Sequence, residues 1–146
     1  MAQHNRKRYY CDGLEFRSTD EVRFWEWCKD KKAKGEILNF EYEPEKIEIM
    51  PKFRFHGELV RAMTYTPDFI LYHNDGTKEY IEVKGFFTEQ ATLKVKLFKY
   101  ILSNKEPGTK YRVLARNLKH ANIDGEWIEY GELQKLRRKA KSKKNL

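Results

Sequence analysis

The stretch from Thr64 to Gly85, TYTPDFILYHNDGTKEYIEVKG, sets the tightest limit on how this chain can fold. Tyr65–Tyr72 is rich in Tyr, Phe, Ile and Leu and predicts a strand. Asn74-Asp75-Gly76 predicts a tight turn, because Asn, Asp and Gly tolerate backbone positions with φ > 0. Glu79–Lys84 predicts the returning strand. Side chains alternate along a strand, so Glu82 and Lys84 share one face and Val83 takes the other. Pro67 has no ladder donor and suits a strand start or edge. Closing the hairpin brings Asp68 near Glu82 and Lys84. Two converging carboxylates suit a hard divalent cation such as Mg²⁺ or Mn²⁺, and a lysine beside them can orient an attacking water. The plainer reading is an exposed hairpin with a cross-strand ion pair, worth about 0.2–1 kcal/mol.

The flanking segments predict an α/β (α+β) core, a mixed central sheet with helices against it. Tyr10–Phe16 reads as a short strand or lead-in. Ser18 opens a helix that runs to about Lys32, and Ser18-Thr19-Asp20-Glu21 fits a capping box. On a helical wheel Glu21 lies in line with Phe24, Trp25 and Cys28, whereas Arg23, Glu26 and Asp30 lie opposite. A carboxylate in an apolar stripe is costly unless paired or bound to metal, so Glu21 is a candidate site residue as well as a cap. Gly35 suits the helix end. Phe40–Met50 reads as a strand broken at Pro44, with Glu41, Glu43, Glu45 and Glu48 on its wet face. Phe53–Met63 predicts another strand and a turn at His56-Gly57-Glu58.

A second helix is expected from about Thr88 to Ser103. It carries two apolar stripes, one of Leu93, Leu97, Tyr100 and Ile101 and one of Ala91, Val95, Phe98 and Leu102. That pattern predicts a helix sandwiched on two sides. Gln90 and Lys94 fall between the stripes at the end nearest Lys84, as candidates to hold a phosphate or a water; snorkelling side chains are the plainer account. Tyr111–Ala115 predicts a buried parallel strand, Trp127–Tyr130 a short strand, and Gly131 to about Lys139 a basic helix anchored by Leu133 and Leu136.

Charge matters here through its placement. The 146 residues carry 30 Lys+Arg against 22 Asp+Glu, a net +8. The N-terminus holds Arg6, Lys7 and Arg8. The C-terminus holds Lys135, Arg137, Arg138, Lys139, Lys141, Lys143 and Lys144. Without those ten the body carries 20 basic against 22 acidic residues. A basic arm (1–10) and a basic tail (135–146) thus flank a near-neutral domain (11–134). Ends of this kind suit a polyanion such as DNA, through counterion release, or serve only as solvated tails. Cys11 and Cys28 are too few for a Cys-rich zinc site and read as free thiols, and His4, His56, His73 and His120 show no ligand spacing. Neither a membrane-length apolar run nor an apolar signal region is present, so a cytoplasmic protein is expected. No glycine loop for a nucleotide appears.

Pro67-Asp68 followed by Glu82-Val83-Lys84 resembles the PD-(D/E)xK nuclease signature. A longer set is similar to a family of small phage proteins catalogued as a domain of unknown function: Asp12-Gly13, Phe16, Ser18–Glu21, Tyr65–Phe69, Glu82–Gly85 and Lys94–Phe98. Arg17-Ser18, Phe40–Pro44 and Thr64–Phe69 also resemble phage Holliday-junction resolvases of the endonuclease I type. These resemblances span roughly Tyr10 to Leu102. They imply a restriction-endonuclease-like core and metal-dependent cleavage of DNA, duplex or branched. They further imply that Asp68, Glu82, Glu21 and the Val83 carbonyl surround Mg²⁺ or Mn²⁺ while Lys84 positions water, and they favour Lys94. A resolvase making two symmetric cuts requires a homodimer, for which the sequence shows no clear interface. A nuclease subunit needing a protein partner, and a non-catalytic nucleic-acid-binding protein, are the alternatives.

Overall fold

A computed structural model describes residues 7–145. Its centre is a five-stranded mixed sheet formed by β3 (Asn39–Tyr42), β8 (Phe69–Tyr72), β9 (Lys78–Val83), β10 (Lys110–Arg116) and β11 (Trp127–Glu129). The spatial order is β11-β10-β9-β8-β3. Only β9 and β10 run parallel; every other pairing is antiparallel. The α/β expectation holds, although Tyr111–Ala115 is parallel to one neighbour only.

Two predicted strands are each divided. Tyr65–Tyr72 splits at Thr66–Asp68 into β7 (Met63–Tyr65) and β8. Phe40–Met50 splits around Pro44 into β3 and β4 (Ile47–Met50). Proline explains both breaks, since it withholds a ladder donor. The halves then join different sheets: β4 pairs with β7, away from the central sheet. β5 (Phe53–Phe55) and β6 (Glu58–Val60) pair only with each other. At the start of the described chain, β1 (Tyr9–Cys11) and β2 (Leu14–Phe16) form a hairpin. Its turn, Asp12-Gly13, has φ of 50° and 76°, as a two-residue type I′ turn requires.

Helix α1 (Thr19–Ala33) starts where the capping signal put it. Ser18 Oγ accepts the Glu21 N–H at 3.1 Å. Its apolar stripe covers one face of the sheet, where Phe24 and Cys28 pack with Phe16, Phe69, Leu71, Ile81, Val83, Leu114 and Trp127. Phe24 stacks edge-on against Phe69 and Trp127 at 4.8 and 5.2 Å. The opposite face holds Tyr65, Ile70 and Tyr80, covered by Phe98 and Leu102 of α2 (Glu89–Lys105). Helix α3 (Tyr130–Lys144) seals Ala115 and Ile128 with Leu133. Both cysteines are free, and burial pushes the Cys28 thiol well up. Among the described residues no helix is long and apolar enough to cross a membrane.

Two helix expectations need correction. α2 is not sandwiched: its Ala91–Leu102 stripe packs on the sheet, but Leu93 and Tyr100 of the other stripe are 51% and 67% exposed. Among the described residues only β4 reaches that side, at its Ile101 end. On α3, whose last turns hold 135–144 of the basic tail, Leu136 is not an anchor but 37% exposed. Leu133 anchors its first turns, and the residues beyond Leu136 are exposed all round.

Phe69 lies at the centre of the layer facing α1 and touches both Phe24 and Tyr42. Phe69→Ala should cost about 3–5 kcal/mol. Urea unfolding followed by tryptophan fluorescence reads this as a lower midpoint at unchanged slope.

Candidate metal and phosphate site

The β8–β9 ladder places the first two acids. Its register pairs Phe69 with Ile81 and Tyr72 with Lys78, so one step further sets Asp68 opposite Glu82. His73 N–H donates to Thr77 O at 2.8 Å. Hydrogen-bonded and non-bonded pairs alternate along an antiparallel ladder. Counting back from His73–Thr77, Asp68–Glu82 is a non-bonded pair, the type whose side chains lie closest. Both side chains point to the α2 face, as do those of Ile70 and Tyr80. The next pair, Pro67–Val83, belongs to the bonded type. Pro67 has no N–H to give, so the Val83 carbonyl receives no ladder bond from β8. The Val83 N–H turns instead to Asp68 Oδ2 at 2.8 Å. That bond holds the Asp68 carboxylate against the end of β9, while Val83 itself does not line the cleft.

Asp68 and Glu82 are 3% and 6% exposed. Burial raises the Asp68 carboxyl well above the usual carboxylate range, and the charges of Glu82 and Glu21 add to this; the Val83 N–H and Lys84 oppose it. Glu82 is also raised, mainly by burial, against the pull of the Tyr65 hydrogen bond and Lys84. Tyr65 Oη donates to Glu82 Oε2 at 2.7 Å and lies 2.7 Å from Tyr111 Oη. Tyr65 has a single proton and gives it to Glu82, so Tyr111 is the donor to Tyr65. This directed chain fixes one Glu82 oxygen. The other, Oε1, is 3.9 Å from Lys84 Nζ.

A cavity of about 300 Å³ opens over these groups, lined by Arg17, Thr64, Tyr65, Thr66, Asp68, Glu82, Lys84, Ala91, Lys94 and Val95. The sequence-predicted Asp68, Glu82, Lys84 and Lys94 thus meet in one cleft. Gln90 does not join them: it is exposed one helical turn before Lys94, because α2 turns its Ala91–Val95 edge inward. Glu21 is buried beside the acids and adds its charge to both, but it does not line the cleft. Its Oε2 accepts the Arg17 N–H at 2.8 Å and the Tyr42 hydroxyl at 3.1 Å. The capping-box expectation is thereby shifted by one residue, since the bond goes to Arg17 rather than Ser18. Glu41, Glu43, Glu45 and Glu48 are exposed, as a wet face should be.

Arg17, Tyr65 and Tyr111 are the site residues that sequence reasoning missed. Arg17 stands directly before the cap Ser18, and its guanidinium pairs with Glu43, Nε to Oε1 at 3.1 Å. Glu43 in turn donates its N–H to Asp68 O at 2.7 Å. The only signal for Tyr65 was its place three residues before Asp68. Of the expected nucleic-acid contacts, Lys7 and Arg8 are exposed, and Arg8 pairs with Glu15 at 2.9 Å. Arg6 lies outside the described residues. Lys135, Arg137, Arg138, Lys139 and Lys141 all lie exposed on α3.

The donor set fits a hard divalent cation. Asp68 Oδ1 accepts no hydrogen bond from any described residue and opens to the cleft, and Glu82 Oε1 meets only Lys84, at long range. Among the described residues no group of three His, Cys, Asp or Glu forms a cage from side chains alone. Mg²⁺ does not require one, because it binds through one or two carboxylates and keeps several waters.

The raised Asp68 carboxyl makes a prediction about stability. Its folded pKa lies above its unfolded value, so the neutral acid favours folding and ionisation opposes it. Stability is therefore full below the unfolded pKa and is lost as pH rises through the folded one. Asp68→Asn keeps an oxygen for the Val83 N–H and removes the charge. In metal-free buffer its melting temperature should exceed that of the wild type at pH 8, with the gap closing near pH 4, as scanning fluorimetry would read.

No curated protein matches this chain. A family model described as "Protein of unknown function (DUF1064)" matches residues 1–128, from the N-terminal arm into β11, and the chain belongs to that family.

Proposed function

We propose that this protein is a metal-dependent DNA endonuclease. One observation carries the reading: Asp68 and Glu82, both buried and both raised, meet across a proline-broken ladder at a cleft that also holds Lys84, Lys94 and Arg17. Buried acids of one sign are tolerated where a cation will offset them, and perturbed acids in a cleft mark functional sites. The resemblance to PD-(D/E)xK nucleases and junction resolvases points the same way.

Asp68 and Glu82 would hold Mg²⁺ or Mn²⁺, with the Val83 carbonyl as the further ligand that the nuclease resemblance implies. When bound, the ion lowers the pKa of water and offsets charge growing on a phosphate. Lys84 orients the attacking water. Its oxygen forms the new bond to phosphorus while the bond to the 3′ oxygen breaks, leaving a 5′-phosphate and a 3′-hydroxyl. Lys94 and Arg17 both line the cleft, Lys94 from α2 and Arg17 from the start of α1, and both are placed to hold the non-bridging oxygens as charge builds. Glu21 acts from behind, keeping Arg17 and Tyr42 in place, and would contribute its charge to the same or a second ion. The exposed cations of α3 and the N-terminal arm supply backbone affinity without sequence preference.

A second reading is favoured by the open stripe on α2. Leu93 and Tyr100, with Phe86 just before the helix at 78% exposed, leave apolar surface beside the cleft. A second copy or a partner protein seated there would make the chain one nuclease subunit of a larger complex.

Incubating the protein with a four-way junction, a flap, linear duplex and single strands, in Mg²⁺, Mn²⁺ or EDTA, tests both readings. Glu82→Gln should lower metal-dependent cleavage by more than about a hundredfold and leave DNA binding intact or tighter. Cleavage that survives EDTA and Glu82→Gln sinks the metal site, and no cleavage of any substrate, with or without a partner, sinks the nuclease reading. Cleavage that appears only with an added partner selects the second. Charge removal on α3 (Lys135, Arg137, Arg138 and Lys139 to Gln) should flatten the salt dependence of duplex binding by about 0.9 for each phosphate no longer neutralised.

A further inference from the structure

The ribbon of β5 and β6 has no role in the site described above. Each strand packs mainly on the other, and neither joins another sheet. Its turn, His56-Gly57, has φ of 46° and 80°, so the ribbon ends in a tight type I′ tip. The register pairs Phe53 with Val60, Arg54 with Leu59 and Phe55 with Glu58. Phe53 and Phe55 therefore project from one face, and Arg54 and Leu59 from the other. Phe53, Phe55 and Leu59 are 43%, 62% and 55% exposed. None of them belongs to an apolar cluster of the core. Single exposed apolar residues are ordinary, but here three stand within seven residues on a bare hairpin. Such a ribbon is only marginally stable in water without a third strand or a helix beside it.

The root of this ribbon runs straight into the cleft. β4 and β7 continue the same two chain segments, pairing Met50 with Met63 and Ile47 with Tyr65. Thr64, Tyr65 and Thr66 then line the cavity. Gly57 at the tip is eight residues from Tyr65, so the ribbon reaches at most about 27 Å from Tyr65 at the cleft. Its charge is also one-sided: Lys52, Arg54 and Arg61 against Glu58 alone. Exposed aromatic faces interleaved with cations match a partner that offers flat π-faces and phosphates together. Bases inside a regular duplex are stacked on each other and present no free face. Bases at a branch, a gap or a single strand do.

We propose that residues 51–62 form a nucleic-acid arm, in which Phe53 and Phe55 stack on unstacked bases of DNA next to the cleft while Lys52, Arg54 and Arg61 hold the adjoining phosphates. The inference deepens the nuclease reading and rests on it for the placement of the substrate, but it predicts binding that needs no cleavage.

Binding is measured in EDTA, in a Glu82→Gln background, by fluorescence anisotropy. The probes are a single-stranded oligonucleotide, a four-way junction with 2-aminopurine at the branch, and a blunt duplex. Phe53→Ala/Phe55→Ala should weaken binding to the single strand and the junction by at least about tenfold and leave the blunt duplex within about twofold. It should also lose the 2-aminopurine response. Phe53→Trp/Phe55→Trp should restore both, which separates stacking from mere collapse of the hairpin. Lys52→Gln/Arg54→Gln/Arg61→Gln should flatten the single-strand salt slope by about 0.7 for each phosphate released. Unchanged affinity of the Ala pair for single strand and junction overturns the arm. So does a change from dimer to monomer, read by sedimentation, with DNA affinity intact, since the arm would then clasp a second copy. Arm-dependent binding by a wild type that never cleaves keeps the arm and removes the nuclease reading. Cleavage of junctions by the Ala pair at the wild-type rate and KM does the reverse.

Discussion

A carboxylate taken out of water loses several kcal/mol of solvation unless something replaces it, and Glu21, Asp68 and Glu82 are all buried at one end of the same sheet. The surrounding structure follows from that burden. The Val83 N–H serves Asp68, the Tyr65 hydroxyl serves Glu82, and the Arg17 N–H and Tyr42 hydroxyl serve Glu21. Each acid has one oxygen satisfied, and two of the three leave the other facing the cleft. Full satisfaction would make a rigid structural network. Half satisfaction leaves two carboxylate oxygens toward the cleft, the place that a cation completes under the proposed reading.

Pro67 is the hinge of this arrangement. It interrupts the long apolar run that would otherwise form one strand, and it sends β7 away to pair with β4. It also withholds the donor that would have closed the ladder at Val83. The same residue thus divides the sheet, leaves the ladder open beside Asp68 and sets the root of the β5–β6 ribbon. Tyr65, on the far side of the break, links the two: it packs on Phe98 of α2 at 4.7 Å and holds Glu82.

The outer surfaces divide by chemistry. Cations crowd the exposed turns of α3, apolar groups remain uncovered on α2, and both kinds mix on the ribbon. A chain that spent its apolar residues only on a core would leave neither of the last two. Phosphate attraction acts over nanometres and steers approach, whereas aromatic faces act only on contact. Under the proposed reading, the two together describe a protein that gathers a polyanion first and sorts its shape second.

Much of the fold could be read from residues because the signals were local. Ser18 capped α1, the apolar stripe of Phe24 and Cys28 faced inward, and Asn74–Gly76 closed the hairpin that pairs Asp68 with Glu82. Asp12-Gly13 carries an equally plain turn signal, which reading Tyr10–Phe16 as a short strand or lead-in passes over. What escaped were relations between distant segments. Helical periodicity marked two apolar stripes on α2, but whether a layer exists to cover the second depends on chain placed elsewhere, and β4 reaches only its Ile101 end, leaving Leu93 and Tyr100 exposed. Gln90 and Lys94 stand one turn apart with similar sequence credentials, and only the roll of α2 against the sheet put Lys94 in the cleft. Arg17 entered through Glu43, 26 residues away, and Tyr111 through Tyr65, 46 residues away. The sequence alone determined which acids face each other, since strand alternation and one turn fix that pairing. Tertiary structure decided which hydroxyls and cations join them, because long-range packing chooses among many side chains of equal local propensity.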